Sequence, residues 1–404
     1  MKLHSLIDGD FQKAFDFIIT IQRKYGETIL HAFVAVVKCI FVQSYKLKML
    51  HKAEYPQIVF IDSNERNDYV EFMANLSRLC GADTYANINF VHCQEIHLLR
   101  TIRTMKLLAL WTPKILQIQD YSLVDRLAAL KKCSDFYDIK QQLDHALTYD
   151  NINLCVVRYD ACSDHNFISQ LFSTHNITTA TLQHGIMLAP RKGLEDNLDF
   201  NGTEFRLFVS DYFLVWNDFT KREAIKAGIP EEKIKTLGVV KCIGMPPIEA
   251  KGKRAIGVIL DGEFEKENNP PMLRLVKDFC RDFGYKYILR YHPNFNGSEY
   301  DSLLDINGSV CSKSTNLADY LRDIEFCVVA NSTVLFELEY YGIPFMNYSS
   351  GSIKDKYKDY TSHKFSNYEE MKQSFNGLKT ALNSHNTDYA KLYKDFFLQW
   401  CRDS

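Results

Sequence analysis

The residue types suited to chemistry cluster just after apolar runs. Tyr287-Ile-Leu-Arg-Tyr291 ends in His292-Pro293, where an imidazole can give a phosphate a hydrogen bond or a positive charge. The proline fixes the direction in which the chain leaves. Phe326-Cys-Val-Val-Ala330 runs into Asn331-Ser332-Thr333, a small polar turn opening a predicted helix. Free N–H groups and the positive dipole end at such a turn attract an anion. Glu337 follows one turn later, on the side from which a carboxylate reaches a ribose diol, while Glu339 points to a different face. Each residue has a plainer alternative: Ser332 as a cap, Glu337 as a solvated helix residue, His292 as part of a turn. Two such turns after two strands of one half favour a phosphate site.

The first half has its own candidates. Thr178–Leu182 leads into Gln183-His184-Gly185. The ordinary pKa of histidine, about 6.5, suits His184 to act as a base or to bind a carboxylate or phosphate. Gly185 beside it allows close approach of a ligand; a histidine buried and satisfied by backbone groups is the alternative. Asp160, after the run Leu154–Tyr159, is the best-placed acid for activating an acceptor hydroxyl or for serving as a nucleophile, with helix capping near 161–163 as the competing role. Asp164 and Glu195 are weaker candidates in neighbouring loops. Leu260-Asp-Gly-Glu-Phe264 resembles the acidic pair before glycine of bacterial sialyltransferases but has a single Asp, so Asp261 receives no catalytic role, and closing over a nucleotide is an alternative use of the loop 261–269.

These positions need a framework. The first fifty residues read as helix. Beyond them, strands at Ile58–Asp62, Asn89–His92, Leu154–Tyr159, Thr178–Leu182 and Tyr212–Trp216 alternate with helical patterns, and 95–150 reads as mostly helical. A second alternation starts at Ala255–Leu260 and continues through Tyr287–Tyr291, Phe326–Ala330 and Ile343–Met346. Between the two lies Cys242–Gly252, rich in glycine and proline, a linker. The pattern predicts an α/β protein of two Rossmann-like doubly wound domains facing a central cleft. The domains are 1–240, binding an acceptor, and 254–385, binding a nucleotide sugar; a helix over 386–404 packs back on the first.

The 404 residues exceed the roughly 250–300 at which single cores stop growing. With 46% hydrophobic and 24% charged residues the composition is globular, and a net charge of -2 gives no overall field to recruit nucleic acid. The 11 cysteines form no C-x-x-C pair, and the N-terminus carries acids where a signal peptide needs a basic head. Reduced thiols in a cytoplasm are the expectation. His31–Val42, broken by Lys38, falls short of the ~20 residues of a membrane span. Leu98–Lys114 mixes basic and apolar residues at helical spacing, as in helices that lie on an anionic membrane, although core packing with a solvated basic face explains the same pattern. No metal constellation, Walker loop or G-x-G-x-x-G is present, so neither a metal nor another cofactor is expected.

The stretch Val328–Pro344 resembles the nucleotide-binding element of GT-B glycosyltransferases, in which a small-residue turn holds phosphate and a Glu five residues before Gly-x-Pro contacts the ribose; that spacing falls on Glu337, Gly342 and Pro344. His292-Pro293 is similar to the His-Pro motif of bacterial sialyltransferases and related capsule transferases, where the histidine contacts the donor phosphate. Gln183-His184-Gly185 resembles a motif of surface-polysaccharide transferases, including users of CMP-linked acidic sugars. Trp216–Gly238 is similar to the GT-B segment before the interdomain linker. The resemblance covers about residues 150–350. It implies a metal-independent glycosyltransferase of bacterial cell-surface polysaccharide synthesis, of the sialyltransferase-like or Kdo-transferase-like kind. The donor would be a nucleotide sugar, led by a CMP-linked acidic sugar, and the acceptor a glycan or lipid-linked glycan at the inner face of a membrane. His292, Pro293, Asn331, Ser332, Thr333 and Glu337 would hold the nucleotide, with Asp160 and His184 near the reacting carbon. A CDP-glycerol or CDP-ribitol transferase, a non-catalytic nucleotide- or glycan-binding protein and a sugar-nucleotide epimerase are the alternatives.

Overall fold

The computed structural model describes residues 12–26, 28–63, 67–96, 98–194, 202–245, 248, 254–262, 265–292, 298–352, 354–357, 359–378 and 387–401. The chain divides into two compact units, Met1–Ile243 with Tyr389–Ser404, and Gly244–Asp388.

The first unit runs α1 (Gln12–Tyr25), α2 (Ile29–Phe41), β1 (Val42–Lys52), β2 (Ile58–Asp62), α3 (Asn67–Arg78), β3 (Tyr85–Ile96), α4 (Leu98–Leu116), α5 (Leu123–Ala146), β4 (Leu154–Val157), α6 (Ser163–Ser173), β5 (Thr178–Leu182), α7 (Thr203–Arg206), β6 (Tyr212–Val215), α8 (Asp218–Lys226) and β7 (Ile234–Thr236). Its sheet has the order β1-β3-β2-β4-β5-β6-β7, and every pairing except β1 with β3 is parallel. β2 and β4 are buried along their whole length, as strands covered by helices on both faces must be.

Two readings change here. The first fifty residues are not all helical, because Val42–Lys52 is a strand. Tyr45, Leu47 and Met49 turn to the core while Lys46 and Lys48 turn away, a two-residue period that no helix accommodates. The short strand at 89–92 is part of a twelve-residue strand, β3, whose first half is buried and whose second half alternates as it leaves the sheet paired with β1.

Buried charges tie the helices of this unit together. Lys132 of α5 donates to Asp164 Oδ1 at 2.8 Å and lies 3.5 Å from Asp135, while Tyr45 donates to Asp164 Oδ2 at 2.8 Å. Burial opposes the Lys132 charge, but Asp164 and Asp135 hold its pKa well above the usual lysine value. Asp164 is thereby structural.

The second unit runs β8 (Ala255–Ile259), α9 (Asn269–Phe283), β9 (Lys286–Arg290), β10 (Gly308–Val310), α10 (Leu317–Leu321), β11 (Phe326–Val329), α11 (Val334–Tyr340), β12 (Phe345–Tyr348), β13 (Lys364–Phe365) and α12 (Tyr368–Leu378). Its all-parallel sheet has the order β10-β9-β8-β11-β12-β13, the doubly wound arrangement in which the chain reverses direction between β8 and β11. α13 (Tyr389–Leu398) belongs to the first unit: Tyr393, Phe396 and Phe397 enter its core, and the Tyr393 hydroxyl donates to Gly238 O at 3.1 Å. Gly238 has φ +98°, and a Cβ there would run into the Tyr389 ring.

Candidate functional site

Parallel sheets bind ligands beyond the carboxyl ends of their strands, at the point where strand order reverses. In the second unit Arg290, Ile259 and Val329 are aligned across β9, β8 and β11. The residues just past them, His292, Asp261-Gly262 and Asn331-Ser332, therefore emerge side by side, with β9 and β11 about 10 Å apart.

That middle turn organises the others. Asp261 Oδ1 accepts the Asn331 N–H at 2.9 Å, and Oδ2 accepts Asn268 Nδ2 at 3.0 Å. The Asp261 N–H donates to Asn269 Oδ1 at 2.9 Å. Asn331 Oδ1 in turn accepts the Lys356 N–H at 3.0 Å, and Lys356 Nζ pairs with Glu265 at 2.6 Å. The His292 ring lies over Gly262, where a Cβ would stand 3.3 Å from the ring carbon Cγ, close enough to push the ring outward by a few tenths of an ångström. Ser332, Thr333 and Glu337 are half-buried, and Ser332 Oγ accepts the Val334 N–H at 3.3 Å. Thr333 makes no side-chain cap. Pro293 and Glu195 lie outside the described residues, as does part of the loop 261–269. Glu339 is exposed and accepts from the Tyr360 hydroxyl.

Burial pushes the Asp261 carboxyl up to about 7, with Glu265 adding and Asn268 and the Asn331 N–H opposing. Its folded pKa exceeds the ordinary 3.8, so the folded protein binds the extra proton and Asp261's contribution to stability falls as pH rises through that window. Asp261→Asn should lower stability, since an amide cannot accept from both donors, and the deficit should shrink as pH rises from about 4 to about 7. Parallel melting-temperature profiles for variant and wild type would contradict this placement of the proton.

The first unit has a counterpart at its own reversal, between β2 and β4. Asp62 ends β2 and Arg158 follows β4. Arg158 Nε donates to Asp62 Oδ1 at 2.8 Å, and His165 Nε2 lies 3.3 Å from the same oxygen. Burial opposes the ionised form, but His165 and Arg158 hold the Asp62 carboxyl below the usual carboxylate range. Asp62 Oδ2 is buried with no hydrogen-bond partner among the described residues. Arg158 also stacks over the Tyr69 ring at 4.5 Å, and Lys241 approaches the same ring at 5.9 Å.

His184, beyond β5, stacks on Tyr159 at 3.7 Å between ring centres, and the Tyr159 hydroxyl donates to Glu204 Oε1 at 2.7 Å. His184 Nε2 is 3.8 Å from the same oxygen. Burial first, then Arg158, Lys241 and His165, lower the His184 pKa to about 3, so the ring is neutral at pH 7. It carries no charge to a phosphate or carboxylate, and its Nδ1 is buried with no hydrogen-bond partner among the described residues.

Asp160 faces inward. Its Oδ2 accepts the backbone N–H groups of Val209 at 3.1 Å and Ser210 at 2.9 Å, fastening the loop before β6, and burial raises its pKa despite these bonds. It neither caps α6 nor faces solvent, and at 3% exposure it gives an acceptor hydroxyl no approach. The residues that sequence reasoning passed over, Asp62, Arg158, Tyr159 and Glu204, include two that end a strand or follow it directly, the signal that singled out His292.

No protein-family signature and no curated protein matches the chain. Solved structures do. UDP-GlcNAc 2-epimerase from Methanocaldococcus jannaschii superposes with a TM-score of 0.53 at 11% identity, over 85% of this chain and 99% of that one. The Neisseria meningitidis enzyme of the same name, bound to UDP-GlcNAc, gives the same values. A putative UDP-N-acetylglucosamine 2-epimerase from Listeria monocytogenes gives 0.50 at 10% identity, over 84% and 91%. At these identities the likeness establishes the fold: two parallel α/β units of the GT-B class.

Proposed function

We propose that this protein is a GT-B enzyme acting on a nucleotide sugar in cell-surface glycan synthesis, with the turns after β9, β8 and β11 holding a phosphate of the nucleotide. The observation that carries this reading is the alignment of His292, Asp261-Gly262 and Asn331-Ser332 over three neighbouring strand ends. In it His292 and the Asn331-Ser332-Thr333 turn contact the phosphate, Asp261 positions the turn, and Glu337 reaches the ribose. A uridine-diphosphate sugar comes ahead of the CMP-linked acidic sugar, because a similar fold is described bound to UDP-GlcNAc.

The reaction proposed is glycosyl transfer. The bond between the anomeric carbon and the phosphate oxygen breaks, the nucleotide leaves with the electron pair, and an acceptor oxygen forms the new bond. The acceptor proton passes to Glu204, which the Tyr159 hydroxyl holds by a hydrogen bond and neutral His184 approaches to 3.8 Å. This moves the base role from Asp160 to the Glu204–His184 pair, and Asp160 is left holding its loop. Glu204→Gln should lower turnover by about 10²-fold with nucleotide affinity unchanged; normal turnover would remove Glu204 from the reaction.

Epimerisation is the second reading, favoured by the 2-epimerase folds. Incubating the protein with UDP-GlcNAc, with and without a glycan acceptor, separates the two. Product that requires acceptor supports transfer, and an altered sugar without acceptor supports epimerisation.

A further inference from the structure

Outside both strand-end sites, the surface feature with the plainest chemistry is the pair of helices α2 and α4. On α2, Leu30 is 68% exposed and Phe33 55%, and Val34, Val37 and Phe41 continue the same stripe at helical spacing. On α4, Met105 is 56% exposed, with Ile102 and Leu116 on the same face and Leu110 exposed to one side. The two helices lie against each other and both pack on α5. Arg100 of α4 fixes them there: it pairs with Asp138 of α5 at 2.5 Å and donates to Cys39 O of α2 at 2.7 Å. Ile96, next to Val42 across the β1–β3 pair, extends the patch.

The charge on this face has one sign. Neither helix contains an Asp or Glu, while Lys38, Arg103 and Lys106 are exposed beside the apolar stripes and Lys114 is half-buried. Glu95, the acid beside Ile96, is paired with Lys46 at 2.8 Å. Among the described residues no helix is long and apolar enough to cross a membrane. Apolar side chains flanked by cations, without anions, match the boundary between acyl chains and acidic headgroups. A second copy of the chain would instead bring like charges together.

We infer that the α2–α4 face docks on an anionic lipid bilayer, both helices lying in the plane of the interface. The inference is independent of which sugar reaction the protein performs. The test is co-sedimentation of the full chain with phosphatidylcholine vesicles and with vesicles containing one third phosphatidylglycerol. Wild type should bind the mixed vesicles at least about tenfold more tightly. Phe33→Asp with Val37→Asp should lose about tenfold or more, and Arg103→Glu with Lys106→Glu should abolish the preference for the acidic lipid. All four side chains are solvent-facing, so both variants should keep the wild-type circular dichroism and melting temperature. Equal binding to both vesicle types, no binding to either, or a dimer in sedimentation velocity that Phe33→Asp dissociates would each overturn the assignment.

Discussion

His292→Ala is expected to weaken nucleotide binding about tenfold and to cut turnover a further 10²–10³-fold. The ring covers Gly262 at the end of β8 and stands across that turn from Asn331-Ser332, where a phosphate contact strengthens as charge builds on the leaving group. Melting temperature should change little, because His292 is exposed. Calorimetric titration with UDP and with UDP-GlcNAc, beside steady-state rates, checks both parts. Unchanged affinity and rate would remove His292 from the phosphate site.

Lys132→Met should destabilise the first unit by about 3–5 kcal/mol, leaving Asp164 buried without its cation, while Asp135 keeps Lys131 at 2.5 Å. Burial works against the ionised Asp164, but Lys132 and Tyr45 hold its pKa below the usual value. The stability it contributes is therefore present above its unfolded pKa of about 3.8 and is lost as pH falls through the folded one. The deficit of Lys132→Met should accordingly narrow in acid. Urea unfolding at neutral and acidic pH measures it, and a loss below about 1 kcal/mol at neutral pH would mean that the pair is not closed off from water as the structure has it.

The α/β alternation was legible because buried strands such as Ile58–Asp62 and Phe326–Ala330 are short apolar runs set between helical patterns. β1 was not, since Val42–Lys52 follows the apolar α2 without a turn residue to break the pattern, and its partner β3 starts only at Tyr85, beyond β2 and α3. Local pattern also points to single residues after strands, and so to His292, the Asn331 turn and His184. Which of them stand together depends on strand order: β9, β8 and β11 are neighbours although β10 lies between β9 and β11 in sequence. The Asp62–Arg158 pair escaped for the same reason, its members standing 96 positions apart. Asp261 was set aside because one acid before a glycine does not match the sialyltransferase pattern. Its role depends on Asn268 and on Asn331, 70 residues away. Asp160 and Arg158 are two residues apart, and only the end of β4 at Val157 decides which lies at the strand mouth and which turns inward.

The most direct test is a crystal structure with a nucleotide bound, from soaks of UDP, CDP, CMP and GDP and of UDP-GlcNAc. The expected result is a phosphate within hydrogen-bond reach of His292 and of the Asn331-Ser332 turn, above Gly262. A nucleotide ordered elsewhere in the second unit, with that space filled by protein side chains, would contradict it.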